Sequence, residues 1–312
     1  MCLTHLTAPA TQKSSESNFL SPKIERMKNL TIHQIWYRDE QCLELDPDMA
    51  PWDNRENARP EWCEYWIMRQ AAQRFDDHFN ELTGFFSWKY KQKLGLEPAQ
   101  IEGFVQSNPG MDCYIFSPAV FQVAYYLNVW QQGEIWHKGI TRHAQALLDR
   151  LGYCIDLEHS VDHHLSTAYA NYWIASRPFW RAYLDFMGKV FNDVEALKDQ
   201  PGKAFWAFDY GSAGGDCHVQ ALPMIPYLIE RLFSAFVKLH PQFRIAAWEY
   251  PFDILKERAF GAAGMIPIAN WCKLMFCETQ DAQFLRMFVE IQPRLLQAAS
   301  RALQENPGAA IR

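Results

Sequence analysis

Short apolar runs alternate along this chain with longer segments in which apolar residues recur at helical spacing. The strand-like runs lie at residues 30–37, 82–90, 112–116, 169–175 and 244–249. Helical spacing predicts helices over residues 61–79, 98–106, 117–132, 141–151, 222–240 and 280–304, with another that starts at Ser176-Arg177-Pro178. Strands that alternate with helices in this way form a mostly parallel central sheet flanked by helices. The predicted fold class is therefore α/β.

The segments between these elements set the domain boundaries. Residues 1–28 are polar, rich in Ser, Thr and Pro, and without periodicity, so we predict a disordered N-terminal arm followed by one domain over residues 29–312. Residues 38–59 are loop-like. Ser117-Pro118 predicts a helix cap followed by a first-turn proline. The glycine-rich residues 210–216 lack the spacing of a phosphate loop and predict a mobile lid.

Composition narrows the classes of function. The chain has 312 residues, 49% of them hydrophobic, and a net charge of −6, so it has no basic excess with which to bind nucleic acid. No apolar run reaches the roughly 18 residues of a membrane span, and no signal peptide is evident. The eight scattered cysteines indicate reduced, buried thiols. We expect a cytoplasmic protein, with a homo-oligomer and a peripheral contact at the inner membrane both left open.

The first strand offers four candidate ligand-binding residues: His33, Trp36, Tyr37 and Arg38. A strand that opens an α/β sheet delivers its carboxyl end to the ligand-binding crevice. There an aromatic ring can stack on a nucleotide base, and an arginine can pair with a diphosphate. The alternative is an ordinary buried strand with a partnered histidine, and these residues taken alone favour that alternative.

A resemblance to known proteins joins these segments. The motifs that carry it lie in order over residues 32–236: IHQIWY, DPDMAPWDN, EWCEYW, LTGFFSWKYKQKLGL, NPGMDCYIFSP, LNVWQQGEIWHKG, ANYWIASRPFW and PYLIERLFSAF. They resemble bacterial glycosyltransferase domains of cell-surface polysaccharide loci, similar to the GT-A transferases with a DXD sugar-binding region, a group that includes the Och1-like mannosyltransferases. The resemblance implies a GT-A-like (Rossmann-like) fold. It also implies hexosyl transfer from a nucleotide-sugar to a glycan, lipid-linked or small-molecule acceptor.

The resemblance also implies donor-binding residues. Asp112 and Tyr114 stand in a DCY triplet where GT-A transferases carry DxD, whose two carboxylates hold Mg²⁺ or Mn²⁺ against the donor diphosphate. Only the first carboxylate is present, so Asp112 is expected to bind either the metal or a sugar or ribose hydroxyl. Its alternative is an aspartate that caps a strand end. Asn171 is implied to line the donor-sugar pocket, and its alternative is a polar residue on a strand edge.

The motif LNVWQQGEIWHKG supplies six candidate acceptor or sugar contacts. We expect hydrogen bonds from three polar side chains and stacking from two tryptophans, with a histidine beside them: Asn128, Gln132, Glu134, Trp130, Trp136 and His137. An equally weighted alternative is a helix that ends at Gly133 and carries two core tryptophans.

Glu230 and Arg231 interrupt an apolar helix, and such charges are costly there unless they are exposed or used. We predict that Glu230 takes the proton of the acceptor hydroxyl and that Arg231 stabilises the departing diphosphate. The alternative is a solvated charge pair. Two rival functions also stay open: a catalytically inactive carbohydrate-binding or scaffolding domain of the same fold, and another nucleotide-dependent α/β enzyme.

Overall fold

The computed structural model describes residues 27–199, 205–206, 223–259 and 262–305. Most of the predicted N-terminal arm and the glycine-rich segment 210–216 lie outside these residues. The strands are β1 (Leu30–Trp36), β2 (Ala50–Asp53), β3 (Leu82–Ser87), β4 (Cys113–Ile115), β5 (Trp173–Ser176) and β6 (Ile245–Ala247). The helices are α1 (Cys63–Ala72), α2 (Phe75–His78), α3 (Tyr90–Leu94), α4 (Pro98–Ser107), α5 (Val120–Tyr125), α6 (Val129–Trp136), α7 (Ile140–Arg150), α8 (Arg177–Ala196), α9 (Ile225–Leu239), α10 (Phe252–Arg258), α11 (Met265–Thr279) and α12 (Ala282–Glu305). Short 3-10 helices cover Asp39–Glu44, Pro60–Trp62 and Tyr169–Asn171.

The six strands form one sheet in the order β2-β1-β3-β5-β4-β6. Strand β5 runs antiparallel to β3 and β4, and the other neighbouring pairs are parallel. The predicted α/β class with a mostly parallel sheet is therefore confirmed. The segment 38–59 is not loop throughout, because β2 pairs with β1 at the sheet edge.

The helix predicted over residues 117–132 is wrong, because the segment folds as two helices. Asn128 adopts an extended backbone and its side chain accepts a hydrogen bond from the N–H of Gln131 at 2.7 Å, which caps α6. Ser117 caps no helix, since α5 begins three residues later at Val120. The helix start predicted at Ser176-Arg177-Pro178 is confirmed: the hydroxyl of Ser176 accepts a hydrogen bond from the N–H of Phe179 and caps α8, and Pro178 lies in its first turn.

Apolar residues cover both faces of the sheet. One face packs against α1, α8 and α9, where aromatic rings dominate and Trp173 stacks on Trp180 at 4.2 Å between ring centroids. The other face packs against α3 and α4. A separate cluster joins α5 to α10–α12. None of the helices in the described ranges is long and apolar enough to pass through a bilayer.

Candidate functional site

The carboxyl ends of the parallel strands lie along one edge of the sheet. Three hydrogen bonds of 2.8 Å continue the strand pairing past the strand ends: Trp88 N–H to Ile35 O, Phe116 N–H to Tyr172 O and Trp248 N–H to Ile115 O. The antiparallel strand β5 starts at this same edge. We call this edge of the sheet the carboxyl edge. In open α/β sheets, ligands bind outside the carboxyl ends of the strands.

Six polar residues gather on the carboxyl edge from five separate segments, and we call them the carboxyl-edge cluster: Glu64, Ser87, Lys93, Asn171, Tyr172 and Glu230. At the end of β3, the hydroxyl of Ser87 lies 2.5 Å from the hydroxyl of the buried Tyr172. The ammonium of the exposed Lys93, on α3, lies 5.7 Å from the centroid of the Tyr172 ring. These contacts join α3, β3 and the start of β5.

Two carboxylates complete the cluster. Glu64 lies in the first turn of α1, and burial raises its pKa. The positive charge of Lys93 opposes that rise, while the negative charge of Glu230 adds to it. Burial also raises the pKa of Tyr172; the hydrogen bond with Ser87 opposes the rise, and the charge of Glu64 reinforces it. Each of these groups therefore lies close enough to its neighbours to change their ionisation.

Glu230 reaches the same place from α9. Its Oε1 atom accepts a hydrogen bond of 2.9 Å from the backbone N–H of Ala170, in the 3-10 helix Tyr169–Asn171. Helix α9 packs against that 3-10 helix and against the one over Pro60–Trp62, which leads into α1. The sequence-predicted residues Glu230 and Asn171 are thus brought together.

The backbone of this region is strained. Cys63, Ala170 and Asn171 have φ values of 44°, 61° and 55°, and they account for three of the five non-glycine residues with positive φ in the described ranges. For a residue with a Cβ, this conformation costs roughly 1–2 kcal/mol. Strain of this kind persists where the surrounding structure enforces it, most often at functional sites. All three residues belong to, or directly precede, members of the carboxyl-edge cluster.

Some of the buried polar atoms that lack a hydrogen-bond partner in the described residues lie along the same edge, and others lie elsewhere in the fold. Within the described ranges, Trp36 Nε1, Ser117 Oγ and Asn171 Oδ1 have no hydrogen-bond partner, although each residue is no more than 8% exposed. Trp36 ends β1, Ser117 follows β4 and Asn171 precedes β5. A buried polar atom left without a partner costs about 1–3 kcal/mol. These atoms are suited to bind a ligand that carries hydroxyl or amide groups.

Arg231 occupies a different position from its neighbour Glu230. It is 3% exposed and donates hydrogen bonds to Val129 O at 3.0 Å, to Tyr227 O at 2.8 Å and to the side-chain oxygen of Gln132. It therefore ties α9 to α6 from inside the protein. These contacts give Arg231 a structural function, and its predicted contact with a diphosphate stays a prediction.

The predicted acceptor contacts are largely engaged within the protein. Asn128 donates to three carbonyl oxygens of residues 157–160. Glu134 accepts from the backbone N–H groups of Gly139 and Thr141, each at 2.8 Å. Burial would raise the pKa of Glu134, but these bonds outweigh it and leave the pKa lowered. Gln132 pairs with Arg231 and with Gln122.

The aromatic members of that set differ in exposure. Trp130 is 1% exposed, whereas Trp136 is 51% exposed and has a surface open to a ligand. The ring of His137 stacks on Tyr227 with 3.8 Å between centroids. Burial, assisted by the charge of Arg231, lowers the pKa of His137 to about 4. The imidazole is therefore neutral at physiological pH.

The candidates on β1 divide along the strand. His33 lies in its middle, where Nε2 is 2.8 Å from His78 O, the ring stacks on Phe85, and burial lowers the pKa. Trp36 lies at the carboxyl edge with the guanidinium of Arg55 4.6 Å from its ring centroid. The following residues Tyr37 and Arg38 also lie at that edge, and their N–H groups donate to the side chain of Gln41.

Asp112 lies at the opposite edge of the sheet. It precedes β4, its Oδ2 accepts from the N–H of Arg244 at 2.9 Å, and its Oδ1 lies 3.5 Å from the hydroxyl of Ser176 at the far end of β5. Asp112 and Asn171 therefore lie at opposite ends of β5, and their shared role in donor binding stays a prediction. Tyr114 is buried within β4 and donates to Asn108 O.

The surroundings of Asp112 do not fit the Mg²⁺ or Mn²⁺ that the resemblance implied. The carboxylate already accepts a hydrogen bond from a backbone N–H, and the guanidinium of Arg244 lies 3.9 Å from its Oδ2, so a positive charge already occupies the space beside it. Across the described part of the chain, no three His, Cys, Asp or Glu side chains are grouped as a metal site.

Ser87 and Tyr172 of the carboxyl-edge cluster were not predicted from the sequence as site residues, and neither were its two charged members Glu64 and Lys93. They stand inside the quoted motifs EWCEYW and SWKYKQK, but each is one polar residue among several in its segment. Their partner Tyr172 is distant along the chain from both. Only the folded sheet shows that they meet.

Comparisons with known proteins add little to this geometry. No protein-family model matches the chain, and no curated protein matches it. One solved structure is similar, the apo form of WbbM, a bifunctional glycosyltransferase: the sequences are 13% identical and the TM-score is 0.47. The similarity covers 70% of this chain and 44% of that one, so the chain spans less than half of WbbM.

Proposed function

We propose that this protein is a glycosyltransferase that moves a sugar from a nucleotide-sugar donor to a hydroxyl of a glycan, lipid-linked saccharide or small molecule. One observation carries the proposal. Two carboxylates, Glu64 and Glu230, lie with Lys93 at the carboxyl edge of a mostly parallel sheet, within reach of each other's charge. The ordered motifs that resemble glycosyltransferases support the same reaction class.

The cluster supplies what sugar transfer requires. The acceptor hydroxyl must lose a proton as the new glycosidic bond forms, and a carboxylate of the pair takes that proton. The leaving nucleoside diphosphate carries negative charge, which the ammonium of Lys93 offsets. Sugar hydroxyls find partners in the unpaired oxygens of Asn171 and Ser117. The donor base stacks at the end of β1, on Trp36 or Tyr37.

A ligand screen tests the proposal. Differential scanning fluorimetry with UDP-, GDP-, CMP- and dTDP-sugars should raise the melting temperature with at least one donor, because a ligand that binds the native state stabilises it. Release of the nucleotide, with and without an added acceptor, then shows turnover. Parallel reactions with Mn²⁺ and with EDTA establish whether a divalent metal takes part.

Lys93→Gln is the informative variant, and Lys189→Gln is its matched control. Lys189 is exposed on α8 and pairs with Asp185, away from the carboxyl edge. Loss of the charge at Lys93 should weaken donor binding, and loss of the charge at Lys189 should not. A native chain whose melting temperature responds to none of the donors contradicts the proposal. Donor binding without nucleotide release supports the inactive carbohydrate-binding domain instead.

A further inference from the structure

We infer that Ser87 donates a hydrogen bond to the diphosphate of the nucleotide-sugar donor, and that Tyr172 is a positioning residue that orients the Ser87 hydroxyl. This assignment rests on the proposed glycosyl transfer, because it names atoms that hold the diphosphate. Ser87 ends β3 in the middle of the carboxyl edge, where β3 pairs with the parallel strand β1 on one side and the antiparallel strand β5 on the other.

The two hydroxyls carry two protons but share a single contact. Ser87 Oγ lies 2.5 Å from the hydroxyl of Tyr172, so one of these groups donates to the other. Within the described ranges, neither hydroxyl has a second hydrogen-bond partner. Whichever group donates, one proton is left without an acceptor, although Ser87 is only 7% exposed and Tyr172 only 1%. A buried donor in this state is unfavourable, and an oxygen of a bound ligand would satisfy it.

The chemistry of the two groups identifies Tyr172 as the donor within the pair. A phenol is more acidic than an aliphatic hydroxyl and is therefore the stronger hydrogen-bond donor. Burial raises the pKa of Tyr172, so the phenol keeps its proton at neutral pH. Its ring packs against Phe86 with 5.1 Å between ring centroids, which restricts where the hydroxyl can lie. Tyr172 therefore donates to Ser87 Oγ, and the proton of Ser87 is left for a ligand.

The charge beside this pair favours an anionic acceptor for that proton. The ammonium of Lys93 lies 5.7 Å from the centroid of the Tyr172 ring, on the helix α3 that directly follows β3. A hydroxyl that donates to an anionic oxygen forms a charge-assisted bond, which is about twice as strong as a neutral one. In a nucleotide-sugar the anionic group is the diphosphate, whereas the sugar hydroxyls are neutral. Ser87 and Lys93 together thus form a diphosphate subsite.

The test compares Ser87→Ala with Tyr172→Phe in the full chain, with UDP, GDP and dTDP as probes. Isothermal titration calorimetry first identifies which nucleoside diphosphate binds the native chain. Ser87→Ala removes the donated bond and should weaken binding of that nucleotide roughly 10- to 100-fold. Tyr172→Phe keeps the Ser87 hydroxyl and loses only its orientation, so binding should weaken roughly 2- to 10-fold. The double variant should bind as weakly as Ser87→Ala alone, because Tyr172 acts through Ser87.

Two variants control for the loss of a hydroxyl elsewhere. Ser107→Ala at the exposed end of α4, and Tyr125→Phe, whose buried hydroxyl donates to Ala259 O at 3.3 Å, should both bind the nucleotide as the native chain does. Thermal melts without nucleotide verify that every variant folds.

Three results would overturn the assignment of Ser87. One is native affinity in Ser87→Ala, and another is an equal loss in both single variants, since equal losses mean that only the bond between the two side chains matters. The third is a native chain that binds a CMP-sugar but none of the three diphosphates. Each of these leaves glycosyl transfer standing, whereas a native chain that binds no nucleotide-sugar overturns both proposals.

Discussion

Replacing Arg231 with methionine tests whether this residue ties two helices together or acts on the substrate. Methionine keeps part of the apolar stem but removes the guanidinium. Three acceptors then lose their donor: Val129 O, Tyr227 O and the side-chain oxygen of Gln132. All of them lie at the interface between α6 and α9.

The size of the effect follows from these contacts. A hydrogen bond to a charged group contributes about 1.5–3 kcal/mol, and a buried acceptor left unpaired is penalised. Removing the buried charge offsets part of the loss, because desolvating a guanidinium is itself unfavourable. We expect Arg231→Met to lower the free energy of unfolding by roughly 3–5 kcal/mol.

Urea denaturation followed by circular dichroism measures this loss. The midpoint should fall while the m-value stays constant, because the exposed surface of the unfolded chain is unchanged. Arg286→Met, an exposed change on α12, should shift the free energy of unfolding by less than about 0.5 kcal/mol. If Arg231→Met loses under about 1 kcal/mol yet abolishes sugar transfer, the structural explanation is wrong and Arg231 acts on the leaving group.

Three further changes test other parts of the fold. In Gly133→Ala the added methyl group would lie 2.7 Å from Arg231 Nε and 3.0 Å from Ile140 Cγ2. We therefore expect the free energy of unfolding, measured by urea denaturation, to fall by about 1–3 kcal/mol. An unchanged denaturation midpoint would contradict this close packing. Ser176→Ala removes the side chain that caps α8 and should lower the free energy of unfolding by about 1 kcal/mol. An unchanged free energy of unfolding in the same assay would show that the cap is dispensable. Burial lowers the pKa of Lys273 to about 7, so the unfolded chain binds more protons above that pH. The melting temperature should therefore rise from about pH 7 toward pH 10, and this rise should be absent in Lys273→Met. An equal rise in the variant would refute the lowered pKa of Lys273.

The sequence pattern predicted the α/β alternation because each element carries its own local signal. Apolar spacing marked the strands, and Ser176 with Pro178 marked the start of α8. The break before α6 escaped prediction because the cap at Asn128 competes locally with an apolar spacing that continues through it. The antiparallel direction of β5 depends on where the chain enters the sheet, which no local pattern encodes.

The charged pair in α9 shows why the candidate site was only partly predictable. Glu230 and Arg231 are adjacent, so they project about 100° apart around the helix. One reaches the 3-10 helix over Tyr169–Asn171, and the other is enclosed against α6. The sequence could identify both as costly in an apolar helix but could not say which faced a ligand. Glu64 had no such signal, because its partners come from distant segments.

The two edges of the sheet differ in how their polar groups are satisfied. At the edge opposite the carboxyl edge, Asp112 accepts a hydrogen bond from the backbone N–H of Arg244 and lies beside Ser176, so its carboxylate has partners within the fold. At the carboxyl edge, buried polar atoms lack partners, non-glycine residues are held in the left-handed conformation, and two carboxylates share one region. Each of these features reduces the stability of the folded chain. This is the edge at which α/β sheets bind ligands, and a polar ligand bound there would supply hydrogen-bond partners for the unpaired atoms.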